Sequence, residues 1–403
     1  MKIAQINMVH FSSTGKIMLQ IAQCAREFDI EMQTYSTCLA AKRPVPLPKA
    51  PNGHIYYGSY IENVAHVALA RLTGGYGLFS RFSTYRLIQT LKKFKPDAIH
   101  LHNLHAAYIN LPMLFRYIND NEIPIIWTLH DCWTFTGKCA YFESVKCEKW
   151  KTGCNHCPQL PEYPKSYLDT SKLMFRKKKE WFTSVPNMTL VTPSNWLAGL
   201  VQESFLGKYP VKVINNGIDL SVFRPVKSDF RNKYHCEDKF ILLGVAFGWD
   251  RRKGLDVFLE LANRLDETYQ IVLVGTDERI DAQLPKNVIS IHRTENQQEL
   301  AEIYSAADLF VNPTREENYP TVNMEAIACG TPVLTFRTGG SPEIPDETCG
   351  CVVDCDDVDA FLREIHEICA KKPYSVEACL DRAKRFDMNT KYREYVELYR
   401  ELF

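Results

Sequence analysis

Arg315-Glu-Glu-Asn-Tyr-Pro-Thr-Val-Asn-Met-Glu-Ala-Ile-Ala-Cys-Gly-Thr-Pro332 reads as a loop, one short helix and the entry to a strand. Pro320 fits the first helical position, where its missing amide hydrogen costs nothing, and Gly330 followed by Pro332 is a helix stop. The helix predicted over 320–329 presents the amides of Thr321 and Val322 at its positive end, a ready site for a diphosphate. Glu325 follows about 7 Å along the axis at ~1.5 Å per residue, where a carboxylate reaches ribose hydroxyls. Glu317, in the preceding loop, lies on the other side of the phosphate. Spacing alone leaves both glutamates readable as solvated acids near a helix start. Ala326–Val333 weighs against that, because an apolar helix end running straight into a buried strand leaves no free surface element.

The same alternation extends in both directions. Short β-branched and aromatic runs separated by helical periodicity are the pattern of parallel sheets covered by helices. Strands are predicted at 3–9, 32–37, 54–57, 98–101, 124–129 and 188–191, then at 240–245, 270–274, 288–292, 309–311, 332–336 and 351–353. Each half is thus α/β and doubly wound, which suits a chain of 403 residues, too long for one ordinary core. Turn residues and a proline stop over 213–225 place the boundary there, giving domains 1–213 and 214–403. In such sheets ligands bind beyond the carboxyl ends of strands. That directs attention to Ser12–Gly15, His130, 249–254 and 315–318.

Composition excludes other classes. With 45% hydrophobic and 24% charged residues the chain has soluble globular usage, and no run of about 18 uncharged apolar residues suggests a bilayer span. Gln5 and Asn7 interrupt the first apolar segment, so it does not read as a signal peptide and a cytoplasmic protein is expected. The net charge of zero hides an asymmetry: residues 1–213 carry 25 Lys and Arg against 14 Asp and Glu, a net +11, and the remainder a net −11. Either the first half meets an anionic surface or the halves attract each other.

The Glu317-x7-Glu325 pattern followed by Ala326-Ile-Ala-Cys-Gly-Thr-Pro-Val333 resembles the retaining glycosyltransferases of family 4, with the GT-B fold. Asn216-Gly-Ile-Asp219 with Phe223 and Pro225, Thr192-Pro-Ser-Asn-Trp-Leu197, Arg252-Lys-Gly-Leu255 and Gly339-Gly-Ser-Pro-Glu343 stand in the family's order. The resemblance implies two Rossmann-like domains facing across a cleft, acceptor side first and nucleotide-sugar donor side second. The last helix is available to pack back on the first domain. Carried over residue by residue, Glu317 contacts donor-sugar hydroxyls, Glu325 the ribose, and Lys253 the diphosphate, with Gly254 allowing close backbone approach. His130 matches the first-domain histidine that faces sugar and phosphate, although by itself it reads more often as a structural histidine. Gly15 matches the first glycine loop, and Tyr319 and Thr321 hold sugar and phosphate through their backbone.

The chain also departs from the family. Phe247 stands where many members have an arginine, so Arg251 or Arg252 would supply the second cation, and Pro320 removes one possible amide donor. Arg293 lies near the nucleotide base or is an exposed loop arginine. The reaction implied is retaining transfer from a UDP- or GDP-sugar to a saccharide or polyprenyl-linked acceptor in surface polysaccharide synthesis. It needs no catalytic cofactor, divalent metal or nucleic acid. The alternatives are an epimerase or hydrolase of the same fold and a non-catalytic nucleotide-sugar binding protein.

Two further features stand apart. Arg71, Arg81, Arg86, Lys92, Lys93 and Lys95 alternate with Leu72, Leu78, Phe79, Phe82, Leu87 and Leu91, and Arg176-Lys-Lys-Lys179 precedes Trp181 and Phe182. This is either a peripheral contact with the inner face of a membrane or ordinary amphipathic helices. Within the Cys-rich insertion, 132–165, Cys139-x7-Cys147-x6-Cys154-x2-Cys157 suggests a structural zinc with four thiolates. Cys132 and His156 are substitute ligands, and free thiols or a disulfide are the other readings.

Overall fold

The structure is a computed structural model that describes residues 1–11, 13–37 and 51–402. Ser12, named above in the first loop, lies outside them. The chain forms two compact units, Met1–Ile214 together with Tyr392–Phe403, and Asn215–Lys391.

The first unit is a seven-stranded parallel sheet of β1 (Lys2–Ile6), β2 (Glu31–Ser36), β3 (His54–Tyr56), β4 (Ala98–Leu101), β5 (Ile125–Thr128), β6 (Met188–Thr192) and β7 (Val211–Val213). Their order is β3-β2-β1-β4-β5-β6-β7, with Ile3 opposite both Met32 and Ala98, and Ile99 opposite Ile125. Helices cover both faces, so β4, β5 and β6 are buried along their whole length. Trp127 of β5 packs at 5.8 Å from Phe115 and 4.8 Å from Phe182, which come from the helices Leu111–Asp120 and Ser171–Thr183. From the helix Met388–Glu401, Tyr399 bonds His100 of β4 at 2.6 Å and Tyr395 bonds Thr128 of β5 at 3.2 Å.

The second unit is a six-stranded parallel sheet of β8 (Phe240–Val245), β9 (Tyr269–Val274), β10 (Val288–Ile291), β11 (Leu309–Asn312), β12 (Val333–Phe336) and β13 (Gly350–Val353). Its order is β10-β9-β8-β11-β12-β13. Both units therefore have the doubly wound architecture expected. Strand order reverses between β1 and β4 in one and between β8 and β11 in the other, and the crevice for a ligand opens at such a reversal.

The strand β7 was not foreseen, since three residues around the exposed Lys212 carry no periodic signal. Within the segment read as a linker, Ile218 is tied into the second unit by bonds to Phe386 (2.8 Å) and Met388 (3.0 Å). The short helix runs Thr321–Ala328, and Pro320 stands one place earlier than expected: at ψ 115° it is the extended residue before the helix. Gly330 ends the turn at φ +86°.

Candidate functional site

In the second unit the two loops at the reversal meet. Beyond β8, Lys253 Nζ lies 2.5 Å from Glu317 Oε2 beyond β11, with side chains 22% and 19% exposed. Sixty-four residues separate them in sequence, and the adjacency of β8 and β11 brings them together.

Arg315 holds these loops in place. Its backbone N–H donates to Arg252 O at 2.9 Å, and its guanidinium donates to Arg251 O. The same guanidinium grips Asp256 through two bonds of 2.8 and 2.9 Å and reaches Asp356 at 2.6 Å. This planar fork fixes direction as well as charge. Gly254 lies at φ +79°, and a Cβ there would strike the carbonyl of Pro313, so the glycine lets the 249–254 loop lie against the β11 loop. Gly339 does the same for its neighbours: at φ +55°, a Cβ would collide with Glu317 O, while Gly340 N donates to Asn318 O at 2.8 Å. Sequence reading missed Arg315 as a positioning residue, because its partners are scattered between 251 and 356.

The remaining second-unit residues arrange around this pair. Thr321 and Val322 open the helix, and Glu325, one turn on, accepts a hydrogen bond of 3.1 Å from the buried Tyr304 hydroxyl. Burial, then the charge of Glu325, raises the Tyr304 phenol far above its ordinary range, so it remains a donor. Tyr319 is buried in the unit's core. Arg251 and Arg252 pair only loosely with carboxylates of their own stretch, Asp256 at 3.8 Å and Asp250 at 4.0 Å. Phe247 is fully exposed. Arg293 is exposed beyond the edge strand β10, with β9 between it and β8.

In the first unit, His130 follows β5 and lies 3.1 Å from His102, whose other ring nitrogen meets Gln5 Oε1 at 2.9 Å. Because His102 donates to that oxygen, its second nitrogen accepts, and His130 Nε2–H is the donor between them. Burial lowers the His130 pKa to about 4 despite the opposing pull of Asp131, so the ring is neutral near pH 7. Burial alone would raise the carboxyl of Asp131. His105, 2.8 Å away, and the amide of Trp133 outweigh that and hold it below its ordinary value. Asn7 joins the loops at the β1–β4 reversal, accepting from Asn103 N at 3.2 Å and donating to Val9 O at 2.9 Å. The same Asn7 that broke the apolar run in the sequence was the available signal for this role. Gly15, expected in a loop, belongs to the first turn of the helix Ser13–Glu27, where a Cβ would strike the backbone of Val9 and His10.

The zinc expected at Cys139, Cys147, Cys154 and Cys157 is not supported. Among the described residues no group of three or more His, Cys, Asp or Glu side chains is placed to hold a metal ion. The thiols make other bonds: Cys139 with Cys157, which lowers the Cys157 pKa, and Gly137 N to Cys154 Sγ at 3.1 Å. Order in this segment comes from aromatic packing of Trp150 against Phe142 (5.0 Å) and Phe135 (5.3 Å). Lys138 adds bonds of 2.7 and 2.9 Å to the carbonyls of Gln159 and Glu162. Lys178, fully buried, lies 3.8 Å over the Trp133 ring, and burial lowers its pKa to about 7.

Comparison with known proteins agrees with this architecture. Residues 37–222 match the family model described as Glycosyltransferase Family 4, and residues 238–371 match Glycosyl transferases group 1. The chain therefore carries both glycosyltransferase domains on a GT-B fold. Among its relatives is WcaC of Escherichia coli K12, whose name assigns it as a glycosyl transferase to colanic acid biosynthesis. It is 27% identical over 303 residues, which are 73% of either chain. Sucrose-phosphate synthase from Thermosynechococcus elongatus superposes with TM-score 0.73 at 18% identity, covering 100% of this chain and 99% of the other. Anabaena Alr3699/HepE in complex with UDP superposes with TM-score 0.67 at 15% identity, covering 100% of both.

Proposed function

We propose that this protein transfers a sugar from a UDP- or GDP-sugar to a saccharide or lipid-linked saccharide acceptor, with retained anomeric configuration and no catalytic metal. The observation that carries the reading is the Lys253–Glu317 pair at the β8–β11 reversal, beside the N-terminus of the helix Thr321–Ala328. As the glycosidic bond breaks, charge grows on the departing diphosphate. Lys253 and the amides of Thr321 and Val322 are the groups to stabilise it. Donor binding exchanges partners, so that Lys253 turns to phosphate and Glu317 to sugar hydroxyls. Glu325 takes the ribose, and Arg251 or Arg252 adds a second cation. The neutral His130 orients sugar and diphosphate, while the departing phosphate helps deprotonate the acceptor on the same face.

Two relatives support the setting: the name of WcaC refers to colanic acid, and a Klebsiella pneumoniae relative, 24% identical over 328 residues, is described by its place in a cps region. HepE was crystallised with UDP and with UDP-glucose, which favours a uridine donor. A polyprenyl-linked acceptor would place the enzyme at the inner face of a membrane.

A thermal-shift screen of UDP-, GDP- and ADP-sugars tests this, since a ligand at 100-fold its Kd stabilises by about 2.7 kcal/mol. One donor class is expected to stabilise the protein and to release its nucleoside diphosphate when acceptor is added. Stabilisation without release under any acceptor would favour a binding protein instead.

A further inference from the structure

The helix Tyr60–Thr73 is amphipathic in the reverse sense. Asn63 and His66 face inward, bonded to Thr37 Oγ1 at 2.5 Å and Ser80 Oγ at 2.7 Å. Outward, in one stripe at i, i+3, i+7 and i+11, stand Ile61, Val64, Ala68 and Leu72. Ile61 is 80% exposed and Leu72 55%. A soluble helix ordinarily buries such a stripe.

Neighbouring elements widen the apolar face. Glu62 accepts the amides of Phe82 and Ser83 at 2.9 and 2.8 Å, which fastens the start of the helix Arg81–Phe94 beside Ile61 and leaves Phe82 61% exposed. At the other end Tyr167 N donates to Arg71 O at 2.7 Å, bringing the exposed Leu168 next to Leu72. This corrects the pattern read from sequence: Leu87, Leu91, Lys178 and Phe182 are buried, and the outward apolar groups belong mainly to the preceding helix.

Charge says what covers the face. Between Glu62 and Asp97 the chain contains no acidic residue, whereas Arg71, Arg81, Arg86, Lys92, Lys93 and Lys95 are all exposed. An apolar stripe one helix wide, with Arg71 beside Leu72 and Arg81 beside Phe82 in a stretch of chain without acidic counter-charges, matches a headgroup layer with acyl chains beneath it. Among the described residues no helix is long and apolar enough to cross a membrane, so the contact is a surface one.

We propose that the outward face of Tyr60–Thr73, with Phe82 and Leu168 beside it, docks on an anionic bilayer, its apolar side chains entering the headgroup–acyl boundary. The inference rests on the transferase reading only for its purpose, reaching an acceptor carried on lipid.

The full chain should be sedimented with phosphatidylcholine vesicles, with and without phosphatidylglycerol, alongside an Ile61→Asp/Leu72→Asp variant. Both substitutions are at exposed positions, and an unchanged melting temperature confirms folding. The wild type is expected to sediment with the anionic vesicles and at least about tenfold less with neutral ones, and the variant to lose at least about tenfold of that binding. Stabilisation by a nucleotide sugar, measured on the same variant, should be unchanged. If that stabilisation is absent from every form while vesicle binding follows the expected pattern, the transferase reading fails and the docking surface stands. Equal recovery in the supernatant with both vesicles overturns the proposal, as does wild-type vesicle binding by the variant. So does a dimer in light scattering that the variant breaks with no vesicle binding, which would assign the face to a second copy.

Discussion

Lys253 Nζ and Glu317 Oε2 lie 2.5 Å apart at the ends of loops that follow neighbouring strands, and Arg315 sets that distance from the side. Arg315 bonds the backbone of the lysine's loop and pins Asp256 and Asp356, yet it stands two residues from the glutamate. The geometry of the proposed donor site therefore depends on a residue whose guanidinium is engaged by this chain's own carboxylates and carbonyl.

Arg315→Ala is expected to destabilise the second unit by about 1–3 kcal/mol, a range kept low because both carboxylate partners are substantially exposed. Donor affinity should fall with it. Arg315→Lys restores charge without the fork and should recover only part of either loss. Chemical denaturation with donor titration on the same variants measures both, and wild-type values for Arg315→Ala would contradict its positioning role.

On the proposed reading, Glu325 and Tyr304 should separate binding from chemistry. Glu325→Ala should weaken donor binding by about tenfold, ~1.4 kcal/mol, with a smaller change in turnover, because a ribose contact is made equally in the ground and transition states. Tyr304→Phe removes only the hydroxyl that orients the carboxylate and should cost a few-fold in the same direction. Steady-state kinetics would show this as a rise in KM with kcat nearly kept.

The first unit should weaken in mild acid. Burial lowers the pKa values of His54, His66 and His130 to about 4 and of His100 to about 3, against an ordinary 6.5. Folded rings stay neutral where unfolded ones take up protons. The stabilisation is therefore complete above pH 6.5 and is lost as pH falls from there toward 4. Each such histidine contributes a slope of up to about 1.4 kcal/mol per pH unit in that window. Thermal melts from pH 7 to 4.5 followed by tryptophan fluorescence, dominated by the five tryptophans of residues 1–214, should show the fall. A melting temperature independent of pH in that range would contradict it.

The sequence displayed most of the strands because parallel strands covered on both faces are continuous apolar runs, such as Phe240-Ile-Leu-Leu-Gly-Val245. It concealed β7, whose Val-Lys-Val is too short to signal anything. Candidate site residues within one segment, such as Glu317 and Glu325, are readable as a spacing. The Lys253–Glu317 contact and the Arg315 clamp were not, since strand order and not sequence distance makes them. Four cysteines in a segment without helical period suggested a metal, whereas Phe135, Phe142 and Trp150, spaced without period, supply packing that a periodicity argument does not register. The helix Tyr60–Thr73 shows the converse: its period is clear, but the sequence does not say which face points out.

If Lys253 and Glu317 together hold a nucleotide sugar, isothermal titration of the stabilising donor against wild type, Lys253→Met and Glu317→Ala will separate their two parts. Lys253→Met should weaken nucleoside diphosphate and nucleotide sugar alike by at least about tenfold, a loss of ~1.4 kcal/mol or more. Glu317→Ala should weaken the nucleotide sugar but leave the bare diphosphate bound as well as or better than in wild type, because the carboxylate engages the sugar and competes with phosphate for the lysine. Wild-type affinity for both ligands in both variants would contradict it.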